Sequence, residues 1–125
     1  MPIGKQGPAH HYRCMGKVSP KAAVKAAQHA IRALDHPVRQ RILVLLYRER
    51  RKLAYGDIAK SLGIADTSAI AHHLKVLVGA ALAGNQLERV DGRIHSLYFI
   101  SDAGVAWLGK AGLDVPERVN VLLRA

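Results

Sequence analysis

The residues best placed to do chemistry in this sequence stand close together in SLGIADTSAIAHHLKVL, residues 61–77, where an adjacent histidine pair is flanked by Thr67, Ser68 and Lys75. Such a pair could ligate a metal, move a proton or bind an anion. Helical geometry separates these options. Positions 72 and 73 lie about 100° apart around a helix, so the two rings point to different sides and do not converge on one ion. His73 comes three residues after Ile70 and four before Leu77, on the apolar stripe, which predicts a half-buried ring hydrogen-bonded near the preceding turn. His72 shares the opposite side with Ser68, Ala69, Ala71 and Lys75 and belongs to an outward polar face.

Other reactive residues do not assemble. The carboxylates Asp57, Asp66 and Glu88 fall on caps, turns and strands, so no catalytic residue is predicted and an enzyme is the least supported class. His10, His11 and Cys14 have no assured fourth ligand, and neither a metal nor a cofactor is expected. The single cysteine excludes an intrachain disulfide. His29 and His36 suit surface or capping roles.

The outward face of residues 67–75 needs a scaffold, and the sequence supplies one. Residues 1–18 read as a flexible basic arm. Ser19 and Pro20 then start a helix with Ala23, Ala27, Ala30, Ile31 and Leu34 at helical spacing. Asp35 is expected to cap a second helix with Val38, Ile42, Leu45 and Leu46 inside and its basic residues in solvent. After an extended link at Leu53 and Ala54, YGDIAKSLG forms a two-turn helix with Ile58, Ala59 and Leu62 inward. Gly63 supplies a left-handed turn, and Asp66 or Thr67 caps the helix that carries the histidines. This is a helix-turn-helix pattern. Asp91-Gly92 between β-rich segments predicts a type I′ hairpin, read as a two-stranded wing over 86–100. Ser101 or Asp102 caps a helix through Ala103, Trp107 and Leu108, and Pro116 begins a last one with Val119, Leu122 and Leu123. The expected fold is mainly α with a small β-hairpin wing: a winged helix-turn-helix domain over 19–112, with an additional N-terminal helix and a C-terminal helix over 113–125.

The net charge of +10 lies wholly in the first half of the chain. Residues 1–52 hold twelve Lys and Arg against two acidic residues, whereas residues 53–125 hold seven of each. That asymmetry suits a polyanion, since neutralising phosphates releases condensed counterions. No signal-peptide core or membrane-length apolar run is present in the sequence, so a cytoplasmic, nucleoid-associated protein with no membrane partner is expected.

Taken together, LDHPVRQRILVLLY, DIAKSLGIADTSAIAHHLKVL and a glycine-containing hairpin ending YFISDAG resemble the winged helix-turn-helix regulators of the ArsR and MarR type over about residues 30–108. SAIAHHLKVL is the most specific part, and the Asp-x-Pro-x-Arg opening at Asp35, Pro37 and Arg39 supports it. The resemblance implies a double-stranded DNA partner, with a recognition helix over 67–78 in the major groove. There Thr67 and Ser68 would meet phosphate through hydroxyls and free helix amides, Ala69 and Ala71 would allow close approach or touch a thymine methyl, and His72 and Lys75 would reach a base or phosphate. Arg89, Arg93 and His95 would bring the wing to the adjacent groove. The helix has no Arg, Asn or Gln, so reading of DNA shape is expected alongside base contact. A homodimer through the first and last helices is also implied. YGDIAKSLG lacks the cysteines of the family's metal sensors. A winged-helix module for RNA or a ribonucleoprotein is the alternative, and a transcription adaptor without nucleic-acid contact is a third reading.

Overall fold

A succession of capped helix starts divides residues 19–124, the part of the chain described by this computed structural model, into six helices and three strands. The expected arm and its HHxxC group lie outside the described residues. The first helix, α1 (Pro20–Leu34), opens on Ser19, whose Oγ accepts from the Ala22 amide at 3.0 Å. The second, α2 (Pro37–Glu49), is capped by His36, not Asp35: the His36 Nδ1 accepts from the Val38 amide at 3.2 Å. Pro37 occupies the first helical position and puts the cap on the residue just before it, while Asp35 terminates α1 by donating its backbone N–H to the Arg32 carbonyl.

The remaining elements are β1 (Leu53–Ala54), α3 (Tyr55–Leu62), α4 (Thr67–Gly79), β2 (Ala83–Val90), β3 (Arg93–Ile100), α5 (Asp102–Ala111) and α6 (Pro116–Arg124). The link at 53–54 is a true strand, pairing Leu53 with Tyr98 and Ala54 with Leu97. The wing therefore grows from a three-stranded antiparallel sheet of order β1-β3-β2. Its turn places Asp91 at φ 53° and Gly92 at φ 77°, the left-handed pair that a type I′ hairpin requires.

α2 is the axis of the core. Ile42 to Leu46 are five consecutive buried residues, more than the one-sided stripe expected from the sequence. A helical turn buried all round is one surrounded by other elements: α1, α3, α4, α5, α6 and β3 all contact α2. Ile58, Ile70, Leu74, Leu77, Leu82 and Leu108 complete the same fully buried cluster. Burying one such side chain contributes about 1.5–3 kcal/mol. Val119 is buried, and Leu122 and Leu123 pack against the core. The C-terminal apolar strip is thus covered within the chain, and Val121 is the large apolar residue that α6 leaves exposed.

The basic residues at the start of α2 do not all face solvent. Arg41 donates from Nη2 to the Leu62 carbonyl at 3.0 Å and from Nε to the Leu122 carbonyl at 2.9 Å, so one guanidinium closes the C-terminal ends of α3 and α6. Those carbonyls have no partner within their own helices and carry the negative pole of the dipole, which is why a rigid cationic fork is stable there. Gln40 does likewise for the Leu34 carbonyl at 2.8 Å.

Candidate nucleic-acid interface

α3 ends where Gly63 turns left-handed, at φ 67°, and the Ile64 amide returns to the Ala59 carbonyl at 2.9 Å. Asp66 then caps α4, accepting from the Ser68 and Ala69 amides at 3.1 and 3.4 Å. Only residues 63–66 separate the two helices, and the tight turn fixes α4 against the core. Ile70, Leu74 and Leu77 point inward with 0% exposure. The residues at the complementary spacing, Ser68, Ala71, His72 and Lys75, are all exposed and form one outward stripe. Thr67 is exposed beside them and Ala69 lies at the margin, half-buried.

The N-terminal end of α4 differs from the sequence expectation. The Ser68 hydroxyl donates to Asp66 Oδ1 at 2.6 Å, and the same oxygen takes both amides. The Ser68 hydroxyl bond, followed by the Ala69 amide, holds the Asp66 carboxyl below the usual carboxylate range. The anion that neutralises this helix terminus is therefore the chain's own side chain, and two of the amides expected there for a phosphate, those of Ser68 and Ala69, are occupied. His72 and Lys75, one and two turns further along, are left as the stripe's polar and cationic groups.

His73 sits half-buried, as its stripe position predicted, but its partners are at the start of α2 and not at the helix-turn-helix turn. Arg39 Nη1 lies 3.3 Å from His73 Nδ1, and the His36 ring is centred 4.4 Å away. Burial first, then the electrostatic influence of His36, Arg39 and His72, pushes the His73 imidazole below its ordinary value.

In the wing, Val90 pairs with Arg93 and Arg89 with Ile94 across the turn. Adjacent cross-strand pairs face opposite sides of a sheet, so Arg89 and Arg93 project from different faces near the tip, both exposed. His95 pairs with Glu88 further back and is half-buried. Glu88 also meets Lys52 at 3.7 Å. The sheet thus brings Arg89 and Arg93 to the tip but not His95.

Sequence reasoning missed Arg39, which donates to the Ala33 carbonyl at 2.6 Å and the Arg32 carbonyl at 3.2 Å as well as reaching His73. The Asp-x-Pro-x-Arg opening marked the residue, yet nothing in helical periodicity says that it turns inward. α1 is little covered within the described chain. Ala30 and Ala33 are its buried residues, while Val24 and Ile31 remain 56% and 54% exposed. Ala23 is exposed too. Val24, Ala27 and Ile31 share one side of α1 by helical spacing, and that side runs out over solvent.

A helix-turn-helix core with a sheet-borne hairpin defines a winged helix-turn-helix domain. Comparison with known proteins agrees: a family model described as a helix-turn-helix domain matches residues 34–83. Among solved structures, the transcriptional repressor BigR from Xylella fastidiosa is similar with a TM-score of 0.55 and 22% identity, over 74% of this chain and 84% of that one. The adhesin competence repressor AdcR from Streptococcus pyogenes gives 0.55 and 21%, over 83% of this chain and 75% of that one, and a second structure of it gives 0.54 and 20%, over 85% and 80%. No curated protein matches the sequence. Among the described residues no helix is long and apolar enough to cross a membrane.

Proposed function

We propose that this chain is a double-stranded DNA-binding transcriptional regulator that lays residues 67–78 in the major groove and its wing, residues 86–100, on the adjacent one. The observation that carries this reading is the outward stripe of α4. Ala71 keeps the helix surface low beside His72 and Lys75, while Ile70, Leu74 and Leu77 hold the opposite side in the core. A rigid helix with small and cationic residues on its free face suits close approach to a groove. Thr67 has a free N-terminal position for a phosphate, and Arg89 or Arg93 extends the contact from whichever wing face meets the duplex. The similar solved structures, BigR and AdcR, are both repressors, which supports the same reading.

Two such domains side by side would present two recognition helices, and the uncovered Val24–Ile31 side of α1 is the surface for a second copy. α6 is mostly used within the chain, so α1 carries this pairing more than the C-terminal helix does. The test is an anisotropy titration of the full chain against a labelled DNA duplex and a structured RNA of equal length, between about 50 and 200 mM salt. Preferential, steeply salt-dependent binding to the duplex is expected. Preference for RNA, or binding flat in salt, would overturn the reading.

A further inference from the structure

We infer that Arg39 and His73 form a positioning link that holds the recognition helix on the end of α1, and that this link exists only while His73 is neutral. The inference rests on the DNA-binding reading for its functional consequence and on geometry for the link itself. One guanidinium spans three elements: it belongs to α2, donates to the Ala33 and Arg32 carbonyls at the C-terminal end of α1, and reaches His73 on α4. α1 carries the exposed apolar side proposed for a second copy, and α4 carries the proposed DNA face. Arg39 is therefore the polar joint between them.

The proton requirement follows from donor and acceptor chemistry. A guanidinium has donors only and stays charged, so in the contact with Arg39 the His73 Nδ1 must supply a lone pair, which puts the ring proton on Nε2. Protonating Nδ1 removes that acceptor and sets two cations 3.3 Å apart. The surroundings give no relief. From the start of α2 the ring faces His36 and Arg39, and from its own helix His72, at 4.4 Å for the His36 ring and 5.6 Å for the His72 ring. α1 adds His29 and Arg32 around the hollow beside Arg39. Neither Asp35, next to His36, nor Asp66, at the start of the same helix, makes an ion pair with His73, and no carboxylate among the described residues does. His36 cannot serve as a replacement acceptor, because its own Nδ1 is already taken up in capping α2. Acidification should thus release α4 from its neighbours.

The sign of this effect is opposite to that of the interface itself. Protonating exposed His72 adds positive charge toward phosphate and strengthens binding, whereas protonating His73 weakens it. The experiment measures duplex affinity of the full chain and of His73→Gln from about pH 8 down to about pH 5.5, a span across which an imidazole titrates. Gln offers Arg39 a carbonyl acceptor that does not titrate. At the upper pH the two should agree within about twofold, and at the lower the variant should bind about tenfold more tightly than wild type, a ratio within the usual range of coupling between two sites. Parallel profiles would overturn the link. Ring ¹⁵N spectra of His73 test it without DNA: Nε2–H is expected, with titration moved to higher pH in Arg39→Gln. An Nδ1–H tautomer, or a midpoint indifferent to Arg39→Gln, would refute the geometry even in a chain that binds no duplex. Absence of duplex binding with the expected spectra would instead sink the DNA reading and leave the link standing.

Discussion

α1 and α4 both carry apolar residues at helical spacing, yet they end in opposite conditions. α4 seals Ile70, Leu74 and Leu77 at 0% exposure and gives its free side to small and polar residues, while α1 buries only Ala30 and Ala33 and leaves Val24 and Ile31 more than half exposed. The difference shows that helical periodicity reports which side of a helix is apolar but not what covers it. For α4 the cover is the chain's own core. For α1 the described residues provide no such cover, and the same contrast runs through the basic residues: Arg39 and Arg41 spend their donors on helix ends, whereas Lys21, Lys25 and Lys75 stand in solvent.

The contrast breaks first at the core. Leu74→Ala should destabilise the domain by about 2–5 kcal/mol in urea denaturation, because a fully buried leucine leaves a cavity. A loss under 1 kcal/mol, on the order of a surface substitution, would mean α4 is not anchored as described. The next largest effect is at Arg41. Its replacement by Ala strands the Leu62 and Leu122 carbonyls and should lower stability by roughly 2–3 kcal/mol, while Lys25→Ala stays within about 0.5 kcal/mol. Equal effects would erase the distinction between inward and outward cations.

For α1 the expected pattern reverses. Val24→Glu with Ile31→Glu should change monomer stability by no more than about 0.5 kcal/mol, since both side chains are already exposed, but should convert a dimer to a monomer in sedimentation. A dimer that survives the double substitution would move the second copy to another surface. The smallest effect is that of pH on stability. The folded state holds His73 below its ordinary imidazole value of 6.5, so it binds fewer protons than the unfolded chain near that value. The resulting stability is complete above about pH 6.5 and is lost as pH falls through the lower folded value. Denaturation midpoints should drop on acidification in wild type and less in His73→Gln.

The winged helix-turn-helix architecture was legible because its signals are local. Ser19, Asp66 and Ser101 cap helices by their own side chains, Gly63 and Asp91-Gly92 supply left-handed turns, and the spacing of Ile70, Leu74 and Leu77 fixes the inner side of α4. The outward Ala71, His72 and Lys75 followed from the same arithmetic. What was not legible depends on contacts between distant elements. His36 takes over the cap of α2 because Asp35 already ends α1. Arg41 meets a carbonyl 81 residues away. The pairing of β1 with β3 turns an extended link into a third strand, and Asp66 takes the proton of the Ser68 hydroxyl as a hydrogen bond.

The central claim, that the free face of α4 meets duplex DNA, is tested most directly by the duplex affinity of His72→Ala/Lys75→Ala across a salt series, with thermal stability followed in parallel. Neither side chain is in the core, so the melting temperature should hold. Affinity should fall by about tenfold or more, and the slope of log K against log salt should shrink by about one unit for the lost lysine–phosphate contact. Wild-type affinity and an unchanged slope in a fully folded double variant would contradict the account.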